Sequence, residues 1–284
     1  ITIMPGELIK IAVIFFIAWY YTRFKDHIRS FARGYLVTLL LAGICFALIY
    51  KQPNLSTAII VCGIIIIMAY FAGVNGWFVI GTGALSIMGV LALILLKPGG
   101  EHFNRFTGYL HPFEDAQGEF YQLVQGLLAL GAGGVTGVGP GKSVQKALYL
   151  PEAHNDFIFA IIGEEFGFIG CIVLLLVYMF LIWRCVLIAI NAPDRFGQLV
   201  AAGITAMLAL QVIMNVAVVT GVFPPTGVTL PFISYGGNAM LLFLGSMGVM
   251  VNISRRSAAA GPGKTRRKKR RANGEGPGET EVPV

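Results

Sequence analysis

Long apolar runs separated by short polar segments make up most of the sequence as far as about residue 253. Seven runs are long enough to cross the hydrocarbon core of a bilayer, which takes about 20 residues in helical form. They cover residues 7–22, 34–51, 55–73, 76–96, 157–188, 198–220 and 234–253. The pattern therefore predicts an all-α integral membrane protein, a polytopic helical bundle with seven transmembrane helices in this chain.

A long loop, residues 97–156, separates the fourth run from the fifth and is unusually long for a simple connection. Within it, Tyr121 to Leu130 is apolar but too short to cross a bilayer, which predicts a surface or re-entrant helix. The loop then becomes glycine-rich from Gly131 to Lys142. Glycines followed by lysine resemble a phosphate cradle. The spacing of nucleotide-binding loops is absent, however, so a flexible hinge is the favoured interpretation.

Composition supports the membrane assignment and charge orients the chain. The sequence is 56% hydrophobic and 12% charged, which excludes an ordinary soluble domain. Clusters of Lys and Arg follow the first, fifth and seventh runs, and such clusters mark the cytoplasmic side. Alternating the runs then places the loop 97–156 and the segment 221–232 on the extracytoplasmic face, and the C-terminus in the cytoplasm.

The net charge of +7 is concentrated in a C-terminal tail. Residues 255–284 contain nine basic and three acidic residues, and the run from Lys264 to Arg271 is flanked by Gly, Pro and Ala. This composition predicts a membrane domain over residues 1–254 followed by a disordered cytoplasmic tail. The tail is expected to bind anionic lipid headgroups, with nucleic acid the less favoured ligand.

Asp156 is the leading candidate for chemistry, because it lies where the external loop turns into the fifth run. Taken alone, Asn155 or Asp156 is better explained as a helix cap. Two further carboxylates in the same run, Glu164 and Glu165, favour a functional site, since a carboxylate in a bilayer needs a partner or water. A buried, hydrogen-bonded structural site is the alternative for that pair.

Two other polar groups lie at the outer ends of the predicted helices. Glu7 and Lys10 are three residues apart and can meet on one helix face. Either they form a functional ion pair at membrane depth, or they lie at the interface with Lys10 reaching the headgroups. Asn54 opens the third run, where a helix cap is the favoured interpretation.

The sixth run and the segment after it also contain polar or helix-breaking residues. Gln211 and Asn215 are one turn apart, and such amides most often form hydrogen bonds between helices. The segment that follows, residues 221–237, contains three prolines. Irregular backbone at membrane depth is expected only where it is buried in protein or lines a wet cavity.

Six stretches together resemble the SEDS family of cell-wall polymerases, the FtsW, RodA and SpoVE group. They are PGELIK, QPNLSTA, RFTGYLHPF, YQLVQGLLALGAGGVTGVGPGKSVQK, LPEAHNDFIFAIIGEEFG and NVAVVTGVFPPTGVTLPFISYGG. They occur in the family's order and extend from Pro5 to about Ser254. Members have about ten membrane helices, so the resemblance implies that this chain corresponds to the last seven and lacks the first three.

The resemblance implies a peptidoglycan glycosyltransferase that polymerises lipid II at the outer face of the bacterial cytoplasmic membrane. Its expected partner is a class B penicillin-binding protein transpeptidase. Asp156 matches the family's essential carboxylate, which would take the proton from the acceptor sugar hydroxyl while undecaprenyl pyrophosphate leaves, inverting the linkage from α to β. Glu7, Lys10 and Gln125 also match positions important in the family. They are therefore the candidates for substrate binding.

Three more residues complete the expected substrate site. Arg105 and Lys142 are the external cations expected to stabilise the pyrophosphate charge. Asn54 occupies a position where family members usually carry Asp, and Asn supplies one acceptor oxygen without charge or basicity. No metal ligands are therefore assigned and no cofactor is predicted with certainty, although a divalent cation stays open.

Two other functions remain as alternatives. A lipid II flippase would place polar groups near the bilayer midplane and would usually contain inverted repeats. The polar groups here lie at the outer ends of the helices instead, and the sequence contains no internal repeat. A catalytically weakened scaffold for the transpeptidase is supported only by Asn54. The motifs are shared by division, elongation and sporulation proteins, so the sequence does not choose among these roles.

Overall fold

The computed structural model of the chain is mostly helical in the part that it describes, with no strand there. The described residues are 5–28, 30–50, 55–95, 108–109, 112–114, 118, 120–151 and 154–272. Three helical stretches are long and apolar enough to cross a membrane: Ile158–Asn191, Arg195–Val219 and Gly237–Ala259. An all-helical membrane protein is thus confirmed.

The described residues from 5 to 95 contain four long helices. They are α1 (Pro5–Arg23), α2 (Val37–Tyr50), α3 (Leu55–Ala72) and α4 (Gly76–Leu95). A short 3₁₀ helix, Lys25–His27, and a π-helical turn, Phe31–Leu36, connect α1 to α2. All four helices coincide with predicted apolar runs to within a few residues.

The C-terminal part contains five helices of very different lengths. They are α5 (Tyr121–Gly133), α6 (Val144–Leu148), α7 (Ile158–Asn191), α8 (Arg195–Val219) and α9 (Gly237–Ala272). The short apolar helix expected at 121–130 is present as α5 and continues to Gly133. Helix α8 begins directly after Asp194, whose carboxylate accepts a hydrogen bond from Gly197 N at 2.9 Å.

Helix α8 is the centre of the core. It packs against α1, α3, α5, α7 and α9, and most of its residues are buried. At Gly203, a Cβ would lie 2.7 Å from both Ile14 Cγ2 of α1 and Met68 Sδ of α3. The absence of a side chain at Gly203 therefore allows these helices to approach α8 closely. Large apolar side chains of α2, α4 and α7 are exposed instead, as suits helices that face lipid.

The fifth apolar run is not one continuous helix. Gly167 has φ 69° and ψ −166°, so the helical path is broken about ten residues after α7 begins, and the helix ends at Asn191 rather than at residue 188. The small residues Ala160, Gly163, Gly167 and Gly170 consequently do not form a single continuous face. Glycine is the residue that adopts this conformation without steric strain.

The last helix differs from the sequence expectation at its end. Disorder was predicted from residue 255, whereas α9 continues to Ala272. The helix continues through Gly261, Pro262 and Gly263, which are poor helix formers, and then through a run of lysine and arginine, which are good ones. Residues 273–284 lie outside the described residues.

Candidate active site

The break at Gly167 is closed by the glycine-rich loop that follows α5. Two helix carbonyls accept hydrogen bonds from this loop, Glu164 O from Val138 N at 2.9 Å and Glu165 O from Gly139 N at 3.0 Å. Beyond the break, Phe168 N donates to Gly134 O and Ile169 N donates to Val135 O, at 2.9 and 3.1 Å. The loop thus satisfies backbone groups that a continuous helix would have paired internally.

Glycine is needed at two positions on the α5 and loop side of this contact. A Cβ at Gly137 would lie 2.2 Å from Glu165 O, and one at Gly133 would lie 1.9 Å from Gly163 O. The N–H groups of Val138 and Gly139 point into the protein, which does not match a phosphate cradle. A loop pinned by four backbone bonds does not match a flexible hinge either. Both sequence interpretations of this stretch are therefore replaced by a structural role.

Glu164 is buried, and the segment just beyond that loop donates hydrogen bonds to both of its carboxylate oxygens. Its side chain is 2% exposed and accepts hydrogen bonds from Ser143 Oγ at 2.5 Å, Val144 N at 3.0 Å and Gln145 N at 3.4 Å. This is the buried, hydrogen-bonded structural site given above as the alternative for the carboxylate pair. The neighbouring Glu165 has one buried oxygen without a partner among the described residues.

Asp156 lies in the turn that enters α7, one residue before the N-cap position, which Phe157 occupies. It is therefore not in the first turn of the helix, and no side-chain cap is found there. Gln122 of α5 donates through Nε2 to Pro151 O at 3.1 Å and lies 3.5 Å from Asp156 Oδ1. The carboxylate is half-buried, so one side of it faces α5 and part of it remains accessible.

Asn215 of α8 ties the backbone of Asp156 to the segment that follows α8. Its amide is 0% exposed and donates to Asp156 O and to Val228 O, both at 2.7 Å. The same segment meets the turn again where Tyr235 N donates to His154 O at 2.8 Å. An ideal Cβ on the exposed Gly227 would lie 3.9 Å from Asp156 Oδ2. Backbone of this segment therefore lies directly beside the carboxylate.

Side chains from other parts of the chain anchor the proline-containing segment. The Tyr178 hydroxyl of α7 donates to Pro231 O, and the Tyr109 hydroxyl donates to Gly221 O at 2.7 Å. Burial raises the pKa of Tyr109 above its ordinary value. Several residues here are buried, including Val228, Leu230 and Pro231. Val222 and Tyr235 of the same segment are exposed, so only part of the segment is buried in protein, one of the two settings expected for it.

Glu7 and Lys10 form an ion pair inside the bundle. Lys10 Nζ lies 2.7 Å from Glu7 Oε1, with the side chains 2% and 19% exposed respectively. Close by, a Cβ on Gly6 would lie 3.4 Å from Thr57 Cγ2 of α3, so this end of α1 packs against α3. The interfacial alternative for Lys10 is therefore wrong. Lys10 pairs with Glu7 inside the bundle, and its assignment to substrate binding stays a prediction.

The remaining candidates are dispersed or lie elsewhere. Asn54 and Arg105 are outside the described residues. Gln125 is half-buried on α5, one turn after Gln122, and Lys142 is exposed after the glycine-rich loop. Among the described residues, no three His, Cys, Asp or Glu side chains cluster as metal ligands would.

Sequence reasoning missed the role of Gln122 and gave Asn215 only a general one. Gln122 and Gln125 have the same side chain at a spacing of three, so the sequence alone does not tell which faces Asp156. Asn215 was expected to bond between helices, and the structure identifies its acceptors as two backbone carbonyls. A buried amide at membrane depth was the available signal for this residue.

Comparison with known proteins gives a consistent family. The family model FTSW_RODA_SPOVE, described as "Cell cycle protein", matches residues 1–259. "Stage V sporulation protein E" of Bacillus subtilis (strain 168) is 43% identical over 256 residues, which are 90% of this chain and 69% of that protein. "Probable peptidoglycan glycosyltransferase FtsW" of Geobacter sp. (strain M18) is 37% identical over 256 residues, with the same coverage of 90% and 69%.

Solved structures show the same fold. A chain described under "Structural coordination of polymerization and crosslinking by a peptidoglycan synthase complex" matches with a TM-score of 0.74 and 26% identity, covering 90% of this chain and 71% of that one. The rod shape determining protein RodA of Thermus thermophilus matches with a TM-score of 0.60 and 24% identity, covering 90% and 66%. At that identity the second match supports the fold alone.

Proposed function

This chain belongs to the FtsW, RodA and SpoVE family of cell cycle proteins, and on that premise we propose that it is a peptidoglycan glycosyltransferase that polymerises lipid II. Several relatives bear the name of that enzyme. The half-buried Asp156 is the observation that supports placing the active site in this region. It is held between α5, α8 and the segment after α8. The activity would serve division, elongation or sporulation.

In the proposed topology the chain crosses the bacterial cytoplasmic membrane seven times, with α1 to α4 and α7 to α9 as the spans. The loop 97–156 is extracytoplasmic and the C-terminus is cytoplasmic, which the positions of the basic clusters support. Helix α5 has 13 residues and is therefore about 20 Å long. It packs against α7 and α8, which supports a re-entrant or interfacial position rather than a span.

In the proposed mechanism Asp156 acts as the general base at the outer face. The acceptor sugar hydroxyl gives its proton to the carboxylate, and its oxygen attacks the anomeric carbon of the donor. The bond from that carbon to undecaprenyl pyrophosphate breaks, so the linkage inverts from α to β. Gln122 and the Asn215 bond to the backbone hold Asp156 in place, and a base must be held within hydrogen-bond reach of the hydroxyl it deprotonates.

The other proposed substrate contacts come from the external loop and the ends of the helices. Arg105 and Lys142 supply positive charge for the pyrophosphate, and Lys142 is exposed as that role requires. Asn54 and Gln125 are proposed to bind the substrate. Glu7 is proposed to act through its ion pair with Lys10, which holds the outer end of α1 beside α3. A divalent cation is compatible with a pyrophosphate substrate, but no ligands are assigned to it.

The proposed partner is a class B penicillin-binding protein transpeptidase. Its support is the match to a chain from a peptidoglycan synthase complex whose description joins polymerisation with crosslinking. Anionic lipids are the proposed ligands of the basic residues 255–271, because a dense cluster beside the last span attracts acidic headgroups. Nucleic acid binding is not part of the proposal.

The test is glycan chain growth from labelled lipid II, followed with the protein purified together with its transpeptidase partner. Replacing the general base by Asp156→Asn is expected to slow chain growth by at least about 100-fold. Asp194→Asn is the matched control, because asparagine also caps a helix and activity should stay within about twofold of the parent. Asn54→Asp restores the residue usual in the family and is expected to raise the rate.

Two results would contradict the proposal. Chain growth that is unaffected by Asp156→Asn would rule out this mechanism. No growth from any variant, with folding shown to be correct, would favour a scaffold or a flippase. Transport of fluorescent lipid II across proteoliposomes would then separate those two functions.

A further inference from the structure

Glu164 is a buried carboxylate that the proposed reaction does not use. It lies about two helical turns beyond Asp156, and all three of its hydrogen-bond donors come from one short stretch, Ser143 to Gln145. Ser143 Oγ also accepts from Lys146 N at 3.0 Å, which caps α6. A buried carboxylate is tolerated only when donors satisfy it, so this stretch and Glu164 depend on each other.

Residues 143–151 lead from the Glu164 contact toward the turn that contains Asp156. They include α6. Within residues 143–151, Leu150 is buried and its N–H donates to Gln145 O at 2.8 Å. Pro151 O then accepts from Gln122, the same amide that faces the Asp156 carboxylate. The placement of Gln122 beside Asp156 is thereby linked to the anchor at Glu164.

We propose that Glu164 is a positioning residue for Asp156, acting through the segment 143–151 and Gln122. It holds the start of that segment against α7, which places Pro151 O where it can orient the Gln122 amide. The inference rests on the proposed function only in taking Asp156 as the base. It assigns a use to a buried carboxylate that touches neither substrate nor Asp156.

The donor pattern predicts which substitutions are tolerated. Two backbone N–H groups need an acceptor, and the oxygen of a glutamine side chain can supply it. The Ser143 hydroxyl can accept as well as donate, so it can face the new NH₂ group. Glu164→Gln should therefore keep the anchor, whereas Glu164→Ala removes every acceptor and leaves buried donors unpaired. Ser143→Ala removes only the cap and one of the three donors.

The experiment measures two quantities on the full-length protein with its transpeptidase partner. The first is the kcat and KM of glycan polymerisation from lipid II. The second is the rate of trypsin cleavage after Lys142 and Lys146, both exposed beside the anchor, located by mass spectrometry. Cleavage reports how firmly the segment is held and does not depend on polymerisation.

Glu164→Ala is expected to speed cleavage and lower kcat by at least about tenfold each, with KM changed little, since unpaired buried donors favour release of the segment. Ser143→Ala should give about a fivefold change, and Glu164→Gln should stay within about threefold of the parent. Glu165→Ala is the matched control on the adjacent residue, whose buried oxygen has no partner in the described chain. It should leave both quantities near those of the parent.

Several outcomes would overturn the inference. Cleavage unchanged by Glu164→Ala would show that Glu164 does not hold the segment. Glu164→Gln as inactive as Glu164→Ala would show that charge or proton exchange matters, not hydrogen bonding. Faster cleavage with normal polymerisation would show that Glu164 anchors the segment but does not position Asp156. If the parent protein itself does not polymerise, the proposed function fails and the positioning role fails with it, while the cleavage rates still report the anchor.

Discussion

The two parts of α7, before and after Gly167, have similar apolar composition and very different surroundings. In residues 158–166 most side chains on the inner side are buried, among them Phe159, Ala160 and Glu164. After the break, large apolar side chains such as Phe168, Val173 and Phe180 are exposed. Buried positions there recur only at Cys171, Tyr178, Cys185 and Ala189 within the helix.

The difference shows that an apolar helix in a membrane can pair its backbone polar groups in two ways. Beyond the break the helix pairs its own backbone groups, so it needs only apolar side chains toward lipid. Before the break the chain depends on particular partners, which are the glycine-rich loop, α5 and the segment after α8. Substitutions should therefore have large, residue-specific effects in the first part and small effects in the second.

Gly167→Ala should produce the largest effect on stability, because it changes the residue at which the two parts of α7 meet. The residue has a positive φ, and a Cβ would lie 2.4 Å from Gly137 N and 2.5 Å from Val135 O. Strain and the loss of paired backbone groups should lower the free energy of unfolding by about 3 kcal/mol or more. The measurement is thermal unfolding of the purified protein in detergent.

Gly245→Ala is the control for this change. It lies within α9, where no described atom comes within 4 Å of an ideal Cβ, and alanine is favoured in a helix by about 0.5–1 kcal/mol. Its unfolding temperature should equal or exceed that of the parent. Equal behaviour of the two variants would mean that the break does not require glycine, and the contrast between the two parts of α7 would lose its cause.

Asn215→Leu should produce the next largest effect, on activity. Leucine has a similar shape but cannot donate, so Asp156 O and Val228 O would each lose a 2.7 Å hydrogen bond. Leaving buried carbonyls unpaired costs about 1–3 kcal/mol, and a shifted Asp156 should slow polymerisation of lipid II by about tenfold or more. The rate is measured with glycan chain growth as the readout.

Gln211→Leu provides the comparison for that substitution. Gln211 lies one turn earlier on α8, is equally buried and has an amide oxygen without a partner among the described residues. Its replacement should leave the rate within about twofold of the parent, since Asn215 still donates to Asp156 O and Val228 O in this variant. A similar loss in both variants would indicate a general packing defect in α8.

The helices were predictable because each depends on a local pattern. The run 76–96 became α4 and the short run at 121–130 became α5, each within a few residues. The break at Gly167 was not predictable, because glycine is common in membrane helices and the break depends on a loop about thirty residues earlier in the chain. The structural role of the glycine-rich stretch was not predictable either, because it depends on the same contacts between distant parts of the chain.

The candidate site was predictable in part for a similar reason. Asn215 is conspicuous because a polar side chain in an apolar run demands a partner, and Asp156 because it lies where the external loop meets the fifth run. The choice of Gln122 over Gln125 depends on how α5 is rotated against α7, which follows from packing of residues such as Gly126 against Phe157. The burial of Lys10 likewise depends on the neighbouring helices and not on its own stretch of sequence.

Tyr178→Phe should have the smallest effect, because it changes a single hydrogen bond in the part of α7 beyond the break. The hydroxyl donates to Pro231 O, and its loss should lower the free energy of unfolding by about 1 kcal/mol. Tyr70→Phe is the control, since Tyr70 is exposed on α3 and its replacement should change nothing measurable. Polymerisation by Tyr178→Phe should stay within about threefold of the parent, because Asn215 still holds the segment beside Asp156. If Tyr178→Phe instead slows polymerisation as much as Asn215→Leu, then the second part of α7 also positions the site, and the division of the helix at Gly167 into a specific part and a lipid-facing part would be wrong.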